Sequence, residues 1–138
     1  MSIPVHWWFR LTLFCAIGGL AEALTLSVDD QAAREAALQW LHVVDAGKYD
    51  NAALMMSQEI RDQRDWPGYF AKYRAPLGRA NKRHVVEAKH ASTVPGAVDV
   101  RQYEIIRFKT SFERNGAIEE LVIAKVGCCW EVFEYKVE

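Results

Sequence analysis

Between residues 30 and 49, apolar side chains recur at Ala33, Ala37, Trp40, Leu41 and Val44, the spacing of a single helical stripe. Gln31, Arg34, Glu35, Gln39 and His42 fall mostly on the opposite side. Ser27, or Asp29 behind it, offers an N-terminal cap, and Gly47 suits a left-handed residue at the C-terminal end. A helix of roughly 17 residues is about 25 Å long, enough to cross a small sheet. Large aromatics at helical spacing usually pack, so Trp40 is expected in a core, with a ligand platform as the less favoured use.

Further along, Asp50 is expected to cap a short helical segment in which Leu54, Met55 and Met56 pack locally. Residues 59–65 are polar and are expected to be a connection. Asp65 then reads as an N-cap, with Pro67 in the first turn and Trp66, Tyr69, Phe70 and Tyr73 along one face. Pro76 should end that helix near Ala75. After Gly78 the period changes. Residues 79–92 read as a strand centred on Val85 and Val86, and residues 93–96 as a turn. Residues 102–112 alternate, with Glu104, Ile106, Phe108, Thr110 and Phe112 facing one way and Tyr103, Ile105, Arg107, Lys109 and Ser111 the other. Asn115-Gly116 predicts a hairpin, residues 118–126 pair back, Gly127 turns the chain and residues 130–137 supply the last strand. Helices followed by a meander define an α+β fold: N-terminal helices on a curved antiparallel sheet of about four strands, with Trp40 and Trp66 against it.

With 138 residues, 51% hydrophobic and 25% charged, the composition is that of one ordinary globular domain. Its first segment stands apart. Arg10 precedes the apolar run LTLFCAIGGLA, and Ala21-Glu22-Ala23 has the small-x-small form of a signal-peptidase site. Residues 1–23 are therefore expected to be a signal peptide, and residues 24–138 a single periplasmic or secreted domain. Trp7, Trp8 and Phe9 upstream leave an uncleaved membrane tether as the alternative. A net charge of −1, without a Lys/Arg run, gives no electrostatic footprint for nucleic acid or anionic lipid.

Several stretches together resemble the bacterial domain of unknown function 4019 (DUF4019), a family of short, exported proteins. They include Ala37, Trp40-Leu41, Val44-Asp45, Gly47, Tyr49 and Trp66, then Arg74-x-Pro76-Leu77-Gly78, Arg83 and Pro95-Gly96. Tyr103, Thr110-Ser111-Phe112, Glu119 or Glu120, Gly127, Trp130, Val132 and Tyr135 complete the match. Residues 97–101 replace a Pro-Asp-Gly type turn, Cys128-Cys129 stands at a polar pair, and Glu134 replaces a glycine at a bulge position. The resemblance implies fold and export and carries no activity. By order of elements the expected fold is the cone-like class of nuclear transport factor 2 (NTF2)-like and cystatin-like domains, which hosts enzymes and binding modules alike.

Local spacing offers no helical His-x-x-x-His, no Cys-x-x-Cys, no phosphate loop and no Ser nucleophile elbow. His84 and His90, an even number apart, are expected on one strand face as surface histidines, so no metal and no cofactor is expected. Adjacent Cys128 and Cys129 are expected as thiols, at least one packed against Trp130. Glu119 and Glu120 should point to opposite sheet faces, leaving one inward. Arg74 and Arg107, among aromatics, are the candidates for an anion or carboxylate clamp. The expected ligand-contacting set is Trp66, Tyr73, Arg74, Tyr103, Arg107 and Tyr135. The plainer use of the two arginines is a helix-end cap for Arg74 and a solvated outer face for Arg107. These residues point to a non-enzymatic exported module for a small ligand or partner protein. The alternative is a small lyase, isomerase or hydrolase using Arg107, a Tyr and the inward Glu. Homodimerisation through the sheet is a further expectation.

Overall fold

The computed structural model describes residues 26–138, so the expected signal peptide, its cleavage site and Cys15 lie outside the described residues. Ser27 Oγ accepts the Asp30 amide and opens α1 (Val28–Asp45), whose buried residues are the predicted stripe, Ala33, Ala37, Trp40, Leu41 and Val44. Gly47, at φ +73°, reverses the chain into α2 (Tyr49–Leu54). Lys48, rather than Asp50, stands at the N-cap of α2. Only Met56 of the three expected packing residues is buried; Leu54 and Met55 face solvent, and Ala52 and Ala53 meet the core instead. A short α3 (Gln58–Arg61) occupies part of the expected connection and buries Ile60.

Asp65 caps α4 (Trp66–Tyr69) by accepting the Gly68 amide. The helix continues as a π-helical turn, Phe70–Arg74, in which the Ala75 amide reaches back to Phe70 O. A 3-10 turn, Ala75–Leu77, absorbs Pro76 and ends at Gly78. The expected stop is thus reached in two steps.

Four strands follow: β1 (Ala80–Ala91), β2 (Tyr103–Phe112), β3 (Gly116–Val126) and β4 (Cys129–Val137). They form one antiparallel sheet in the order β1-β2-β3-β4. The architecture is α+β, and its element order fits the NTF2-like arrangement. The β2 alternation holds: Glu104, Ile106, Phe108, Thr110 and Phe112 are all buried beneath the helices. A bulge at Val86 lies between the pairs Val85–Phe108 and Glu87–Arg107. Another, at Phe133, lies between Ile123–Val132 and Val122–Glu134, so β4 is bulged although no glycine stands there.

The bulge at Val86 corrects one expectation. His84 pairs with Lys109 on the outer face, whereas His90 pairs with Glu104 on the inner face, because the extra residue reverses the alternation. The cysteine expectation is also corrected. Cys128 and Cys129 are exposed and disulfide-bonded to each other beside Gly127, at φ +62°.

The helix–sheet junction is filled with aromatic rings. Trp40 lies 5.2 Å from Tyr135 and 5.7 Å from Phe70, centroid to centroid, and its indole N–H donates to Ala52 O at 2.8 Å. Trp66 is likewise buried, with its indole N–H donating to Ile60 O at 3.1 Å. Both indoles therefore satisfy their one polar atom inside the core.

Candidate functional site

Six elements each send one polar side chain to a common point at the end of α1. Asp45 comes from α1, Arg74 from the π-helical turn, Arg83 from β1, Thr110 from β2, Glu119 from β3 and Tyr135 from β4. Arg83 is the hub. Its Nη1 and Nη2 donate to Asp45 at 2.9 and 3.0 Å, while Nε and Nη2 donate to Glu119 at 2.7 and 3.2 Å. Arg74, only 3% exposed, donates to Asp45 Oδ1 at 3.0 Å and to Gly78 O at 2.6 Å, and lies 4.3 Å over the Phe112 ring. Thr110 donates to Glu119 Oε2 at 2.5 Å and Tyr135 to Glu119 Oε1 at 2.9 Å.

The charges balance, two guanidiniums against two carboxylates. Burial pushes the Asp45 carboxyl up, but the Arg83 and Arg74 guanidiniums outweigh it and hold it below its ordinary range. Burial works against the Arg83 cation, yet Asp45 and Glu119 raise its pKa above the usual arginine value. Burial and then the Glu119 carboxylate push the Tyr135 hydroxyl well above 10. Glu119 is 0% exposed and accepts four hydrogen bonds, which fills the lone-pair sites of a carboxylate. The inward Glu anticipated from the sequence is thus present, with Glu120 half-buried on the other face. Its arginine is Arg83, and none of its lone pairs is left for a substrate proton.

The expected ligand-contacting residues divide between the two faces of the sheet. Arg74 and Tyr135 meet in the network, and Trp66 packs nearby, 6.0 Å from Phe70. Tyr73 is exposed and lies 4.8 Å from Tyr69. Tyr103 and Arg107 lie on the far face. Tyr103 packs on Phe133 at 5.5 Å and donates to Asp99 O at 3.2 Å. Arg107, with its side chain 37% exposed, stands 3.7 Å from both Glu87 and Glu120, so its face does not line the junction with the helices.

On that outer face, Val94 and Pro95 of the β1–β2 loop fold over one half of the sheet. Together with Ile105, Val122 and Phe133 they enclose a cleft of about 130 Å³, rimmed by Glu120, Glu134 and Lys136. Burial raises the pKa of Glu134, while Arg64, 3.5 Å away, pulls it down.

Single hydrogen bonds in the network span up to 38 positions, so no local motif could announce it. All six members nonetheless stand among the residues that carry the family resemblance. The Arg83–Asp45 pairing was missed because β1 otherwise reads as an exposed charged strand.

A helix-capped antiparallel α+β domain, pinned by a buried ion-pair hub, is the class that fold and site define. The chain belongs to the DUF4019 family, described as protein of unknown function (DUF4019), whose model matches residues 36–135. No curated protein and no solved structure matches the chain.

Proposed function

We propose that this domain is an exported, non-catalytic module that docks a partner protein on the outer face of its sheet. The observation that carries this reading is the cleft between the β1–β2 loop and β4, with an apolar floor and a charged rim. At about 130 Å³ it is smaller than the roughly 300–1,000 Å³ typical of small-molecule sites, and suits one inserted apolar side chain. On the rim Glu120 and Glu134 already face Arg107 and Arg64, so the apolar floor rather than net charge selects the inserted side chain. The filled helix–sheet junction and the saturated Glu119 support binding over catalysis. Export rests on the leader-like residues 1–23.

Photo-crosslinking in cells tests the reading. A photoreactive residue replacing Lys136 should capture a discrete partner in the exported fraction, and Ile105→Glu should abolish capture while the domain stays folded. The same probe at Glu35, on the exposed side of α1, should capture nothing. Equal capture from both positions, or capture that survives Ile105→Glu, would overturn the docking surface. Retention of the chain in the cytoplasm would overturn export.

A further inference from the structure

We infer that Asp30, His90 and Glu104 form a binding site for a divalent first-row transition ion, zinc foremost, where the start of α1 meets the β1–β2 pair. The inference is independent of the outer-face docking surface, which lies on the other side of the sheet.

The fold builds this cluster from residues distant in sequence. The bulge at Val86 turns His90 to the inner face, where it sits directly across from Glu104 on β2. Asp30, in the first turn of α1, is laid over the same point. One imidazole nitrogen and two carboxylate oxygens lie within 4.8 Å of one another, and His90 Nε2 is already 3.0 Å from Asp30 Oδ1. Two ligand atoms on one tetrahedral zinc stand about 3.3 Å apart at the usual bond lengths. Closing the cluster therefore requires small rotamer adjustments and no movement of the elements.

Glu104 supplies the independent reason to expect a ligand. It is 2% exposed, and its Oε2 is buried with no hydrogen-bond partner. Burial raises its pKa and the Asp30 carboxylate raises it further, while His90 and Arg34 pull it down. Arg34, one turn along α1, makes no ion pair with Glu104 among the described residues, and its own Nε is buried without a partner. A buried carboxylate oxygen left in this state is costly, and a cation satisfies it. The donor set is nitrogen and oxygen without sulfur, which suits zinc over copper(I). Two carboxylates and a neutral imidazole match the charge of a divalent ion. The positive helix start and Arg34 oppose it, so the affinity should be moderate. The His90 side chain is 63% exposed and leaves the ion a route from solvent.

Isothermal titration with zinc alone tests the site, using the full chain with Cys15, Cys128 and Cys129 changed to Ser so that no thiolate contributes. Uptake of one equivalent is expected. His90→Ala and Glu104→Gln should each weaken it about tenfold or more, and His84→Ala and His42→Ala should leave it unchanged. Zinc should also raise the melting temperature of the parent chain and not that of His90→Ala. No saturation by about 1 mM zinc, full binding by His90→Ala, or equal loss in His84→Ala would overturn the site. His90 is exposed, so its variant decides the matter even if Glu104→Gln folds poorly.

Discussion

Arg83 meets Glu119 at two points, Nε to Oε2 at 2.7 Å and Nη2 to Oε1 at 3.2 Å, in a pocket where the carboxylate has no contact with solvent. Desolvating such a pair costs about as much as the attraction returns, so the intact pair adds little net stability. Removing one partner is another matter. Arg83→Met strands Glu119 and frees Asp45 from its best donor, and should cost about 3–5 kcal/mol in urea unfolding. Arg83→Met with Glu119→Gln should recover part of that loss, because no bare charge then stays buried. A single-variant loss below about 1 kcal/mol, the range of exposed pairs, would mean the hub is hydrated in solution.

Stability should peak in mild acid. Asp45 titrates below its ordinary 3.8 when folded, because the two guanidiniums outweigh burial. It therefore binds its proton less tightly than in the unfolded chain. Its contribution is present above pH 3.8 and is lost as pH falls through the lowered value. Glu104 and Glu134 shift the other way, raised above 4.5 chiefly by burial. Their contribution is full below pH 4.5 and disappears as pH rises through the raised values. Chemical unfolding as a function of pH should thus show a decline from mild acid to neutrality. Glu104→Gln with Glu134→Gln should flatten that limb and leave the acid limb unchanged. An unaltered neutral limb in the double variant would show that other groups set it.

Elements with a strict period were legible in the sequence, and those made by a break in period were not. The α1 stripe and the β2 alternation follow from spacing alone, and both faces are oriented as read. The reading of His84 and His90 failed at one inserted residue, Val86, since a period-two argument cannot survive an extra residue inside a strand. Glu119 was recognisable as one of two carboxylates of which one must face inward. Its partners were not, because Arg83 and Asp45 lie 36 and 74 positions before it and meet it only through the fold. Arg107 takes the plainer of its two expected uses, on the solvated outer face. An arginine among aromatics in sequence lies, in space, between two surface carboxylates.

Gly78 carries a local requirement that side-chain contacts alone do not reveal. Its φ of +78° and ψ of −157° lie in a region open essentially to glycine, and its carbonyl accepts from Arg74 Nη1 at 2.6 Å. A Cβ at this position would stand 2.9 Å from Glu113 Oε2. Gly78→Ala should lower stability by about 1–3 kcal/mol through backbone strain. Shortening the neighbour with Glu113→Ala in the same chain should relieve only the contact. Full rescue by that second change would show the contact, and not the backbone, to be the cause.

Arg74 and Arg107, equivalent in the sequence as candidate clamps, should behave oppositely on neutralisation. Arg74 is nearly sealed and holds Asp45 and Gly78 O while covering Phe112, so Arg74→Met takes one of two donors from Asp45 Oδ1 and leaves Gly78 O without its guanidinium partner. A buried partner stranded in this way costs about 3–5 kcal/mol, softened here because Arg83 still holds Asp45. Arg107 is partly solvated and reaches its carboxylates only at 3.7 Å, a geometry worth about 0–1 kcal/mol. Arg107→Met should therefore leave the unfolding midpoint nearly unchanged and should be insensitive to added salt. If Arg107→Met proved as damaging as Arg74→Met, the outer face would have to be covered in solution, and a second copy of the chain detected by sedimentation would be the first occupant to seek.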